Sequence, residues 1–170
     1  FLARTGLMQK SAKRVMILGG SRTAFYLAKM LEGSGNTVKI IENNPEKAEE
    51  LAQLLPDATI IKGDGAEQEL LLEEGLRSMD AFAALTGLDE QNILISIYAQ
   101  SQSVPKVISK VNRPELSSLA EKLGVDSVIS PKNVIADVLV QYARALENSR
   151  GSNVETMYNA YYAIKGEPLT

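Results

Sequence analysis

The stretch Arg14–Glu42, RVMILGGSRTAFYLAKMLEGSGNTVKIIE, decides how the rest of the chain is read. Arg14–Leu18 is a short apolar run that stops at Gly19-Gly20, the pattern of a buried strand ending in a glycine turn. From Arg22 to Glu32 the apolar residues Ala24, Phe25, Leu27, Ala28 and Leu31 form a helical stripe, and Gly33 and Gly35 end it. Thr37–Ile41 is a second apolar run with Glu42 at its C-terminal end. Strand, glycine turn, helix and a second buried strand make a βαβ unit.

The same cycle repeats downstream. Asn44 and Pro45 have the cap and first-turn chemistry of a helix that runs to Leu55 and breaks at Pro56-Asp57. Ala58–Ile61, Ala81–Leu85, Lys106–Lys110 and Ser127–Ile129 read as further strands. Helices are expected over Glu67–Leu76, Asp89–Gln102 (with Asp89 as N-cap), Glu115–Leu123 and Lys132–Asn148. Strands that are apolar throughout, alternating with helices, predict a parallel sheet covered on both faces. The expected fold class is α/β, a doubly wound parallel six-stranded Rossmann-type sheet with the start of a small C-terminal subdomain. The expected divisions are a linker over 1–13, the Rossmann domain over 14–131, a crossover or dimerisation helix over 132–150 and the opening of the small subdomain over 151–170.

Composition narrows the function. The 170 residues contain no Cys and no His, so thiolate nucleophiles, imidazole bases and most zinc sites are excluded. No catalytic and no metal-ligating residues are assigned. The formal net charge of -3 gives no reason to expect nucleic acid as a partner. No apolar run approaches the roughly 20 residues of a membrane span, and a cytoplasmic location is the default expectation.

A Rossmann turn needs small residues at set spacing, so that the chain turns tightly, the backbone approaches a pyrophosphate and the helix packs on its strand. Gly19-Gly20-Ser21-Arg22-Thr23-Ala24 offers Gly19 at the first position and Ala24 at the third. Ser21 stands at the second, where glycine ordinarily leaves the backbone bare. Its hydroxyl can bond a phosphate or its Cβ can obstruct one, so a working site and a degenerate one both remain open. Arg22, at the helix start, is a candidate phosphate partner. Glu42 sits where an acidic residue accepts bonds from the adenosine ribose hydroxyls, which favours NAD or an adenine nucleotide over NADP. Asp64, in the Gly63-Asp64-Gly65 turn, and Thr86 after the fourth strand fall on the same sheet edge. They are candidates for the adenine side and for the floor near the phosphates or ribose, with ordinary turn chemistry as the alternative.

These segments together (GGSRTA, VKIIE, GDG followed by LLEEG, a Thr after strand four, and DEQNILISIYAQ) resemble the RCK or KTN (TrkA-N) regulatory domains of bacterial Trk-type potassium uptake systems. The resemblance runs from about Arg14 to Arg150. Asn112-Arg113-Pro114-Glu115 and Ile129-Ser130-Pro131 make it closest to the second domain of the tandem members. It implies a nucleotide-sensing domain that controls a potassium channel or transporter. NAD or NADH is the foremost ligand and ATP or ADP the alternative. Gly19, Gly20, Ser21, Arg22, Glu42, Asp64 and Thr86 would be the contacts. It further implies a homodimer or higher oligomer at the inner face of the membrane, beneath a membrane potassium channel or transporter subunit.

Two rivals are carried. One is a structural assembly domain with a degenerate nucleotide site, in which the apolar stripe Val134, Ile135, Val138, Leu139, Tyr142 and Leu146 packs on a second subunit. The other is an NAD-dependent oxidoreductase using Tyr161 and Lys165, whose four-residue spacing matches short-chain dehydrogenases. That pair lies after the sixth strand instead of the fifth, which argues against it.

Overall fold

The structure is a computed structural model that describes residues 12–130 and, beyond them, Leu139, Val140, Ala143 and Arg144, which are helical. Along the chain run β1 (Arg14–Leu18), α1 (Arg22–Gly33), β2 (Thr37–Glu42), α2 (Pro45–Leu54), β3 (Thr59–Lys62) and α3 (Gln68–Glu73). They are followed by β4 (Ala81–Ala84), α4 (Asp89–Ser101), β5 (Lys106–Lys110), α5 (Pro114–Lys122) and β6 (Ser127–Ile129). The strands form one sheet in the order β3-β2-β1-β4-β5-β6, and β1 pairs in parallel with both β2 and β4. The chain therefore winds outward to β3 and then crosses back to β4 beside β1. That reversal places a crevice at the C-terminal ends of β1 and β4, where such sheets take their ligands.

Met16, Leu18, Phe82, Ala84 and Val107 of the sheet pack with Leu71 of α3 and with Ile95 and Ala99 of α4 in one aliphatic core. Val15 and Ile17 alternate onto the opposite face and are equally buried, so both faces are covered. There Ala24 and Ala28 of α1 are 0% exposed. Small residues at these positions let the helix backbone lie close to its strand.

The doubly wound parallel sheet agrees with the sequence, and the element ends differ in informative places. The helix expected over Glu67–Leu76 is two pieces. α3 ends at Glu73, and Gly75 adopts φ +86° before a 3-10 turn at Leu76–Ser78. A glycine in the left-handed region stops a helix, and here the redirected chain puts Leu76 wholly inside. β2 extends through Glu42, and β4 stops one residue before Leu85. Asn44 caps α2 as expected, accepting from the Lys47 N–H at 3.1 Å.

Residues to Val128 form one compact unit and those from Ile129 a second. The expected helix over 132–150, the subdomain over 151–170 and most of the linker over 1–13 lie outside the described residues. No described helix is long and apolar enough to cross a membrane.

Candidate functional site

The turn after β1 is held by contacts that only glycine permits. Gly19 has φ +93°, and a Cβ on it would stand 3.0 Å from the backbone N and Cα of Thr86, so the ends of β1 and β4 touch. Its N–H donates to the Ile41 carbonyl at 2.8 Å. A Cβ on Gly20 would lie 2.6 Å from both Glu42 Oε2 and Leu51 Cδ1. The glycine pair thus accommodates the second strand's carboxylate as well as any ligand.

Glu42 is 6% exposed and already occupied. The Gly20 N–H donates to its Oε2 at 2.5 Å and the Asn44 N–H to its Oε1 at 2.7 Å. The carboxylate ties the β1–α1 turn to the β2–α2 turn. An ionised carboxylate has about four acceptor sites, so it keeps capacity for further donors.

Ser21 is the N-cap of α1, with its Oγ accepting from the Ala24 N–H at 3.3 Å. Its hydroxyl hydrogen is not used in that bond. Among the described residues the N–H groups of Ser21, Arg22 and Thr23 have no acceptor, and the dipole of a 12-residue helix ends on them. Asp64 makes an Asx turn in which its Oδ1 accepts from the Ala66 N–H at 2.9 Å, and its side chain is otherwise exposed.

Thr86 is fastened from below. Its N–H and its hydroxyl donate to Asn92 Oδ1 at 3.0 and 2.7 Å, while Asn92 Nδ2 donates to the carbonyls of Thr86 and Lys110 at 3.1 and 2.9 Å. Asn92 is 0% exposed and joins the end of β4 to the end of β5.

These groups surround a crevice of about 220 Å³ that six of the seven expected site residues line: Gly19, Gly20, Ser21, Glu42, Asp64 and Thr86. Arg22 is exposed and is not among the lining residues. Lys47 lines the crevice from the first turn of α2 and is the one lysine among its described lining residues. Its place three residues after the Asn44 cap was the signal available for it. A second cavity, of about 310 Å³, lies over the starts of β1 and β2. Its lysine is already paired, Lys39 with Glu74 at 3.2 Å. It lies at the opposite sheet edge from the β1 turn, and its Gly75 turn ends α3 instead of opening a helix of several turns.

Asp89 does not cap α4. Leu88 occupies that position, and Asp89 is the first helical residue, 5% exposed. Its carboxylate reaches across to accept the N–H groups of Asn112 at 3.1 Å and Arg113 at 2.9 Å, pinning the start of α5. Burial works against its charge, but those two N–H groups and the Arg113 guanidinium outweigh it and hold the carboxyl below its ordinary range. Among the described residues Lys110, 8% exposed, has only a 3.4 Å bond to the Leu85 carbonyl, and burial lowers its pKa despite the nearby Asp89 charge. Among the described residues no carboxylates gather into a metal-binding group.

With this geometry in place, likeness to known proteins is specific. The model of the TrkA-N domain matches residues 15–131. A Trk system potassium uptake protein TrkA homolog from Methanosarcina mazei is 31% identical over 165 residues, covering 92% of this chain and 41% of the relative. The chain thus spans about two fifths of that relative's length. Among solved structures, the GsuK channel bound to NAD superposes with a TM-score of 0.65 at 17% identity, covering 77% of this chain and 24% of that one. The Kef CTD of Shewanella denitrificans in AMP-bound form gives 0.66 at 16% identity, covering 90% and 91%. At such identities the two structures speak for the fold. The family match extends over most of the chain, from β1 through β6, and this chain belongs to the TrkA-N domain family.

Proposed function

We propose that the chain is a nucleotide-sensing regulatory domain of a potassium transport system, with the crevice between β1, β2 and β4 as its ligand site. The observation that carries this reading is the arrangement in the crevice. The start of α1, where Ser21 lines the crevice and has an N–H without an acceptor among the described residues, follows β1, and β1 lies between β2 with Glu42 and β4 with Thr86. Such a helix start takes a phosphate, and a carboxylate at the end of β2 takes ribose hydroxyls. Gly19, Gly20 and Ser21 would approach the phosphates. NAD or NADH is the foremost ligand, with ATP or ADP as the alternative. Arg22, exposed beside the turn, would reach a phosphate only from outside the crevice.

The potassium assignment rests on family membership and on the names of the relatives, which are potassium uptake proteins and a channel. By the same reasoning the chain would work on the cytoplasmic side, as a dimer or larger assembly against a membrane channel or transporter subunit. A fold of this kind also carries enzymes. The oxidoreductase alternative depends on Tyr161 and Lys165, which lie outside the described residues. The assembly alternative depends on the stripe from Val134 to Leu146, of which only Leu139 falls within them.

Thermal unfolding with and without nucleotide tests the binding half. A ligand selective for the native state at about 100 times its Kd adds about 2.7 kcal/mol. Failure of NAD, NADH, AMP, ADP and ATP alike to raise Tm at millimolar concentration would leave the assembly reading. Rubidium tracer uptake by cells carrying Glu42→Ala in the intact protein tests the regulatory half. Uptake should lose its dependence on nucleotide supply, and an unaltered dependence would remove the regulatory role.

A further inference from the structure

We propose that Gly65 is a positioning residue for the crevice: having no side chain, it lets the β3–α3 loop rest on Leu18, and that seat holds Asp64 at the ligand. Both residues line the crevice, Leu18 from the end of β1 and Gly65 from the loop after β3. Gly65 is buried, although Asp64 and Ala66 on either side of it are exposed. A Cβ on Gly65 would overlap Leu18 Cδ1 and stand 3.1 and 3.2 Å from its Cγ and Cδ2. All three lie inside the about 3.5–4.0 Å at which carbon atoms rest together. Turning the tip of the leucine moves Cδ1 and Cδ2 but leaves Cγ in place.

Either the leucine or the loop must yield, and their surroundings decide which. Leu18 is 3% exposed and packs with Ile41, Leu71 and Ala84, each 0% exposed. A filled core resists displacement. The loop has solvent on its outer side and is closed on itself. The Ala66 N–H donates to Asp64 Oδ1 at 2.9 Å and the Glu67 N–H to the Asp64 carbonyl at 3.0 Å. A side chain at position 65 therefore lifts the turn as a unit and carries Asp64 away from the crevice. Gly63, in the same loop, provides the contrast. A Cβ there would meet Leu70 Cδ2, with Cδ1 and Cγ at 3.7 Å, and this half-buried leucine can turn its tip aside. Neither glycine has a positive φ, so the backbone itself accepts alanine at both positions. The proposal rests on the reading of the crevice as a nucleotide site, with Asp64 accepting from the adenosine half.

Calorimetric titration of the 170-residue chain with NADH and with ADP tests it. Gly65→Ala should weaken both by about tenfold, the scale of one hydrogen bond to a charged group, because both carry adenosine. Gly63→Ala should stay within about twofold of the unaltered chain. Asp64→Ala should lose as much as Gly65→Ala, and the two together should lose no more than Asp64→Ala alone. Leu18→Val, which shortens the opposing side chain, should bring Gly65→Ala back to within about twofold of Leu18→Val itself. If Gly65→Ala does not fold alone, the comparison of Leu18→Val with and without it decides. Undiminished binding by Gly65→Ala or by Asp64→Ala, a further loss in their combination, or a loss that Leu18→Val does not relieve would overturn the role of Gly65 and leave the nucleotide reading intact. No binding of either nucleotide by the unaltered chain would overturn that reading and this proposal with it.

Discussion

Replacing Glu42 with alanine separates what this carboxylate does for the protein from what it does for a ligand. In the structure it accepts two backbone N–H bonds, from Gly20 at 2.5 Å and from Asn44 at 2.7 Å, at 6% exposure. Hydrogen bonds to a charged group contribute about 1.5–3 kcal/mol each. The crevice lets water reach the freed N–H groups, so the lower end applies and the loss should be about 3 kcal/mol. For a chain of this length that corresponds to a fall in Tm of about 6–12 °C. Glu42→Gln should cost less, about 2 kcal/mol, because its carbonyl satisfies one N–H while its amino group opposes the other. Urea denaturation at pH 7, with midpoint and slope fitted together, measures both. A loss below about 0.5 kcal/mol for the alanine variant, the size of an ordinary surface substitution, would refute the clamp.

Three further outcomes follow from the site. Ser21→Ala removes the α1 cap and should cost about 1 kcal/mol in denaturation, whereas Ser21→Gly should cost a few tenths. If the Ser21 Cβ obstructs a phosphate, Ser21→Gly also tightens nucleotide binding in calorimetry, and weaker binding would show that the hydroxyl is a contact. The Asp89 carboxyl titrates lower in the folded chain than in the unfolded one, so its contribution is present above the unfolded value of about 3.9 and is lost as pH falls through the folded value. Asp89→Asn should therefore be destabilising at pH 7 and should flatten the loss of stability below about pH 4, read from melts across pH. Lys110 has the opposite sign. With its folded pKa lowered, the unfolded state binds more protons just below about pH 10.4, so stability rises with pH there. Lys110→Met should remove that rise and leave stability at pH 7 unchanged or higher, and a marked loss would show that the ammonium is a structural donor.

How far the sequence could be read depended on how local each signal was. The β1 turn was legible because Gly19 and Ala24 meet a need set within six residues of chain. Glu42 was placed correctly at the end of β2, but its partners were not visible. Its bond to Gly20 joins residues 22 apart, and only the pairing of β1 with β2 brings them together. Arg22 was grouped with the turn by adjacency. It is the first residue of α1, and the roughly 100° step per helical residue carries its side chain away from the crevice that Ser21 lines. Asn92 lies near the start of α4, just behind Asp89 and Glu90, and nothing local in the sequence marks it out. Its work is long-range, since it reaches Lys110 18 residues on. The misplaced cap at Asp89 has the same origin, an acidic residue whose partners belong to the start of α5.

The most direct test of the nucleotide crevice is to titrate the isotopically labelled chain with NADH and map the amide shift changes. The account predicts saturable changes concentrated at Gly19, Gly20, Ser21, Glu42, Asp64 and Thr86, weakened in the Glu42→Ala variant. Saturable changes centred instead on Arg14, Lys39 and Glu74, or none at millimolar NADH, would contradict it.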